Sequence, residues 1–234
     1  MPLLPPPTTE EFIRALGHEL RNVMGCVVVS AEVLRIRAGG EATRQHALDI
    51  IDRQAGRLES VMGSALDMAR LLDQRELAAI QPLDLNSMVS RLLAGPLADD
   101  RAHLVAAEPV SVAGDPVRLA DALTVLFNTT LASSPQGPVR VWLGVWGDQA
   151  VLRVAPAAAE QPIETAPDQL PPLDRALGRP GEMMPEGLGL EGLAARRCLA
   201  LHGASLQWLT LAAGRGFELR LPLEATPQRS ASSV

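Results

Sequence analysis

Five consecutive residues, HELRN, bring an imidazole, a carboxylate, a guanidinium and an amide together as His18, Glu19, Arg21 and Asn22. A free imidazole titrates near pH 6.5 or so, so around neutrality one ring nitrogen is available to attack phosphorus. The adjacent acid, Glu19, could orient the other nitrogen or accept its proton. The Asn22 amide, one helical turn on, could position a water for hydrolysis of a phosphohistidine. Taken alone, the same five residues also fit a solvated surface histidine on an amphipathic helix.

The element that must carry them is a helix. Thr8 or Thr9 can cap it, and Glu10 and Glu11 fall in its first turn, where the helix dipole favours acids. Ile13, Leu16, Leu20, Val23, Val27, Ser30 or Ala31, and Leu34 then step by three or four, a narrow apolar seam. His18 lies about 160° to 200° from that seam, at about 100° per residue, and so points to solvent. Gly25 and Val29 return to within about 40° of its direction, and with Asn22 they form a small, increasingly apolar strip on which a partner protein could dock beside the imidazole.

Ala38-Gly39-Gly40 ends this helix, and a second runs from Glu41 to about Leu72 with a seam at Ala47, Ile51, Leu58, Val61, Ala65, Met68 and Leu72. A lone hairpin leaves one side of each seam wet, so two copies are expected to pair into a four-helix bundle, a homodimer. A polar stretch, Asp73 to Pro82, leads to a third helix, DLNSMVSRLLAG, with Asp84 or Asn86 as its cap. From His103 the pattern is mixed. HLVAAE and VSV read as strands and Asp115 to about Ala132 as a helix. VRVWLGVWG and QAVLRVAP read as a hairpin across Gly-Asp. After a long Pro, Ala and Glu-rich stretch, GLGLEGLAARRCLALHG reads as a glycine-rich entry into a helix and SLQWLTLAAGRGFELRLPL as a closing hairpin. The expected domains are residues 8–75, residues 82–225 and a flexible tail at 226–234.

Composition narrows the function classes. The 234 residues are 47% hydrophobic and 21% charged, which is the make-up of a folded chain. All 21 basic residues are Arg, and against 27 acids they leave a net charge of -6, a surface that repels nucleic acid and anionic lipid. Aromatics are 3%, with no Tyr, which argues against base stacking. The two cysteines, Cys26 and Cys198, are unpaired in any motif and read as small apolar fillers. His46, His103 and His202 show no metal-ligand spacing, so no metal site is expected. Trp142, Trp146 and Trp208 read as core or interface. No apolar run approaches the ~20 residues of a membrane span, and the expected location is cytoplasmic, with no membrane partner.

The order of segments is more telling than any one of them. HELRNVMGCVVVSAEVL in a hairpin, DLNSMVSRLL, GDPVRLADALTVL, GLGLEGLAARRCLALHGASL and GRGFELRLPL together resemble, over nearly the whole chain, the catalytic half of a two-component sensor histidine kinase. The resemblance implies an α + α/β chain: a dimeric phosphoacceptor hairpin forming a four-helix bundle, then a Bergerat-type, ATPase-like two-layer α/β sandwich. It also implies that His18 is the phosphoacceptor, Glu19 its acid/base partner and Asn22 the phosphatase residue. Arg21, Gly25 and Val29 are the residues expected to bind the partner.

The nucleotide pocket departs from that family. Asp115, Pro116, Arg118 and Leu119 match its asparagine box, but the two asparagine positions hold Val125 and Thr129 and the following basic position holds Ala132. Thr129 stands where the Mg²⁺ ligand belongs, and Asn128 next door is turned about 100° away. Ala155 stands where an Asp should take the adenine amino group. Gly187 and Gly189 of the last glycine box remain, while Glu191 replaces a glycine and would repel a triphosphate; a unit-charge pair at 4 Å and an effective dielectric near 20 is worth about 4 kcal/mol. ATP and Mg²⁺ binding are expected to be lost, leaving no cofactor. The resulting expectation is a histidine phosphotransferase, similar to those of alphaproteobacterial relays, that shuttles phosphoryl groups between receiver domains of response regulators. A soluble histidine kinase with a divergent ATP site, or a scaffold that binds a regulator without chemistry, are the alternatives.

Overall fold

The computed structural model describes residues 3–36, 40–74, 77, 79–95, 101–106, 109–134, 137–156, 189–211 and 214–223. Two compact units emerge. One takes in Pro6–Arg75 with Glu186–Arg197, the other Met1–Pro5, Glu76–Pro185 and Cys198–Val234, described residues only in each case.

The helical unit is a hairpin of α1 (Thr9–Ile36) and α2 (Glu41–Asp73). A reciprocal capping box starts α1: the Glu11 backbone N–H donates to Thr8 Oγ1 at 3.2 Å, and the Thr8 N–H donates to Glu11 Oε2 at 2.7 Å. The apolar seams meet as their spacing requires. Val23 and Val61 are fully buried together with Leu190, and Phe12, Ala15, Leu16, Leu20, Leu58 and Ala65 pack around them. Ala47, Met68 and Leu71 complete the buried stripe of α2. Ile13, expected in the seam, is 62% exposed. Phe12 takes the inward place, and the next residue on a helix is rotated by about 100°.

The second unit contains β1 (Gln81–Asp84), α3 (Leu85–Ala94), β2 (Ala102–Ala106), β3 (Ser111–Gly114), α4 (Pro116–Ser133), β4 (Val139–Trp146), β5 (Gln149–Pro156), β6 (Ser205–Leu211) and β7 (Gly214–Pro222). Asp84 and Asp115 cap α3 and α4, each accepting two backbone N–H groups of the first turn. The five-stranded sheet has the order β2-β4-β5-β7-β6; β2 runs parallel to β4 and every other pair is antiparallel. A separate antiparallel pair, β1 with β3, lies outside the sequence expectation, in which Pro82 closed a linker. Helix α4 packs on β5 and β7, burying Leu119, Leu123, Leu126, Phe127 and Leu131. Phe127 meets Phe217 edge to face at 5.8 Å, and Phe217 meets Trp208 likewise. Trp142 and Trp208 are core residues, whereas Trp146, at the β4–β5 turn, is exposed. The result is a helical hairpin plus a mixed α/β sheet domain.

The last helix, α5 (Gly189–Leu201), is divided by the two units between Arg197 and Cys198. Its first nine residues belong with the hairpin, although the sequence grouped them with the sheet. Leu190 fills the Val23–Val61 cluster, and the Arg196 guanidinium donates to Glu11 Oε1 at 2.8 Å and to the Pro6 carbonyl at 3.2 Å. The Arg197 Nε–H donates to the Leu71 carbonyl at 3.0 Å, and its guanidinium also reaches the Gln74 carbonyl. Arg196 holds the Glu11 carboxyl below its ordinary range.

Candidate functional site

His18 projects from the middle of α1 and is exposed, as are Arg21, Asn22, Gly25 and Val29. One turn of helix puts the Asn22 Nδ2 3.3 Å from the His18 Nδ1. The ring is therefore addressed at one nitrogen by a neighbour on its own helix. Arg21 turns back instead, its Nε–H donating to the Gly17 carbonyl at 3.0 Å. The strip beyond His18 is open: Val29 is exposed, and no heavy atom lies within 4 Å of where a Cβ on Gly25 would sit.

Glu19 does something the sequence did not suggest. Its Oε1 accepts the Leu190 backbone N–H at 2.7 Å, within the helical unit. An anion at that place suits the start of α5, where free N–H groups and the helix dipole both favour negative charge. Gly189 makes the approach possible. Its φ of +55° is a left-handed conformation that favours glycine, and a Cβ there would lie 1.9 Å from the Glu19 oxygen. The carboxylate expected to serve the His18 ring is thus engaged by a glycine turn 171 residues later in the chain. Glu191 stands exposed in the first turn of α5; Gly187 lies outside the described residues.

The remaining candidates belong to the sheet unit. Thr129 turns its hydroxyl back onto its own helix, donating to the Val125 carbonyl at 2.8 Å. Asn128, one residue before, is exposed. Ala155 is buried in β5 opposite Arg140, and β7 passes so close that a Cβ on Gly216 would stand 2.4 Å from the Val154 carbonyl oxygen. A methyl group offers an adenine amino group no acceptor. Among the described residues no group of three His, Cys, Asp or Glu could hold a metal ion, and no helix is long and apolar enough to cross a membrane.

His202 is a functional-looking residue with a structural task. Just past α5, its Nε2 accepts the Asp115 N–H at 3.0 Å and its Nδ1 lies 2.8 Å from the Cys198 carbonyl oxygen. Both ring nitrogens are engaged, and burial pushes the ring's pKa down. Cys198 donates its thiol to the Arg118 carbonyl, and burial pushes that thiol up to about 12. Cys26 is exposed, so it is no core filler.

No family model matches the chain. The sensor-like histidine kinase SenX3 of Mycobacterium bovis and Mycobacterium tuberculosis is 23% identical over 221 residues, 91% of this chain and 53% of the relative. Among solved structures, the Acinetobacter baumannii histidine kinase AdeS superposes with a TM-score of 0.59 at 15% identity, over 89% of this chain and 98% of that one. Full-length ShkA in complex with AMPPNP gives a TM-score of 0.52 at 20% identity, over 96% of this chain and 48% of that one. Its homologues are sensor histidine kinases. The chain has the architecture of their catalytic core, hairpin and ATPase-like domain both, and it spans about half the length of the curated relatives it matches.

Proposed function

We propose that this chain is a histidine phosphotransferase of a phosphorelay. His18 takes a phosphoryl group from the aspartyl phosphate of one receiver domain and passes it to the aspartate of another, without using ATP. The observation that carries this reading is the exposed His18 ring, open on one nitrogen and bordered by the Gly25–Val29 strip, on a core whose nucleotide positions hold Thr129 and Ala155. An acyl phosphate is already activated, so transfer asks the protein mainly for an imidazole held in line with the phosphorus, about 3 Å away. Thr129 with its hydroxyl on Val125 is a poor metal ligand, and Ala155 gives the base no anchor. The residues present do not fit ATP with Mg²⁺.

The same reading makes the working form a homodimer that meets response-regulator receivers. Exposed Met24 and Val28 of α1 and Leu48, Met62 and Leu66 of α2 form apolar strips on the hairpin, as a second hairpin would require. Light scattering should give twice 24.9 kDa, and Leu66→Glu should lower it toward one copy; a wild-type monomer overturns the dimer.

The deciding experiment mixes the protein with phosphorylated receivers and follows the label. Transfer to His18, with none from ATP and Mg²⁺, supports the reading. A second reading, a soluble kinase with a divergent ATP site, is favoured by the turn at Gly189, which still presents a backbone N–H to an anion. Saturable ATP binding with labelling of His18 would establish that reading in its place.

A further inference from the structure

We infer that Asn22, rather than Glu19, decides which ring nitrogen of His18 is free to react. The inference rests on the transfer reading and deepens it. Two observations carry it. Asn22 is the side chain that meets Nδ1, at 3.3 Å, and Glu19 is held elsewhere by Leu190 and by a turn so close that even a methyl on Gly189 would collide with it.

A neutral imidazole has one N–H and one lone pair, so whatever faces Nδ1 fixes the state of Nε2. An amide can do this in two ways from one place. With Nδ2 toward the ring, as in the structure, it donates to Nδ1 and Nε2 keeps its proton, an arrangement that refuses a phosphoryl group. Rotation about the Cβ–Cγ bond exchanges Nδ2 for Oδ1, which accepts Nδ1–H and leaves the Nε2 lone pair exposed. A carboxylate could offer only the second arrangement. In the reactive one, the Nε2 lone pair forms the bond to phosphorus, the bond from phosphorus to the aspartyl oxygen breaks, and its electron pair leaves on the receiver's carboxylate. The proton stays on Nδ1, hydrogen-bonded to Oδ1, while the phosphorylated ring carries positive charge, and is then released to water. Asn22 is in this sense a positioning residue for His18.

The test uses the full chain with ¹⁵N-labelled histidine at about pH 8.5, above the ordinary titration range of a free imidazole; His18→Ala assigns the signal. Asn22→Asp, which can only accept, should move His18 toward the Nδ1–H form and speed transfer from a phosphorylated receiver. Asn22→Leu should return the tautomer ratio to that of free imidazole and slow transfer about fivefold relative to Asn22→Asp, the weight of one ordinary hydrogen bond. Glu19→Gln keeps an oxygen for Leu190 and should leave the ratio at the wild-type value. Unchanged ratios in both Asn22 variants, or a shift in Glu19→Gln, would overturn the inference. Ratios that move as expected, in a protein whose His18 never carries label, would uphold the tautomer control and sink the transfer reading.

Discussion

His18 on α1 and His202 just past α5 each face a helix neighbour four residues away, Asn22 in one case and Cys198 in the other. The surroundings then part them. His202 is buried with both nitrogens engaged, and Gly114 leaves it no slack: a Cβ there would lie 2.6 Å from the ring. His18 is exposed with one nitrogen addressed. A histidine closed on both sides holds a fold together, joining the end of α5 to the cap of α4, while one closed on a single side can exchange a group with a partner.

The comparison breaks most sharply under truncation. His18→Ala should abolish labelling from any receiver while changing stability by less than about 0.5 kcal/mol, because an exposed side chain contributes little to folding. His202→Ala should do the reverse, lowering stability by about 2–4 kcal/mol in urea titration through a cavity and an orphaned Asp115 N–H. A labelled His18→Ala protein would move the acceptor elsewhere, with His46 next in line.

Glycines give a second contrast. Gly114→Ala drives a methyl into His202 and should cost about 2–3 kcal/mol. Gly56→Ala, in the middle of α2 with nothing within 4 Å, should stabilise by about 0.5–1 kcal/mol. Thermal melts of the two variants should move in opposite directions.

Acid should act on the two regions in sequence. The His202 pKa is depressed in the fold, so the unfolded chain binds its proton first, and the sheet unit loses stability as pH falls below about 6.5. The Glu11 carboxyl is also depressed, by Arg196, so its contribution to the helical unit is complete above about 4.5 and is lost as pH falls below that. Amide exchange measured in steps of pH should show the sheet unit loosening first. The smallest expected effect is chemical: a thiol reagent on the native protein should modify Cys26 and spare Cys198 until unfolding.

What the sequence made legible was local. Seam spacing marked the hairpin, Asp84 or Asn86 and Asp115 marked two helix starts, and alternation marked β4 and β5, because each signal lies within a few residues of what it specifies. The β1–β3 pair was hidden by Pro82 and by its four-residue length; its partner lies about thirty residues on. The tasks of Glu19, Arg196 and His202 were hidden for the same reason. Their partners, Leu190, Glu11 and Asp115, are brought to them by tertiary structure, and no local pattern records such a meeting.

Among the described residues strand β2 has one neighbour, and it is parallel. The β4–β5 and β6–β7 hairpins can close by themselves within microseconds, but a parallel pair must wait for the chain to travel out and back, here through β3 and α4. Ordering β2 therefore requires loop-closure entropy to be overcome first, and it should be among the last parts of the sheet to form. It should also be among the first to leave: at the edge of the sheet, its amides should exchange well before those of β5, which has a partner on either side.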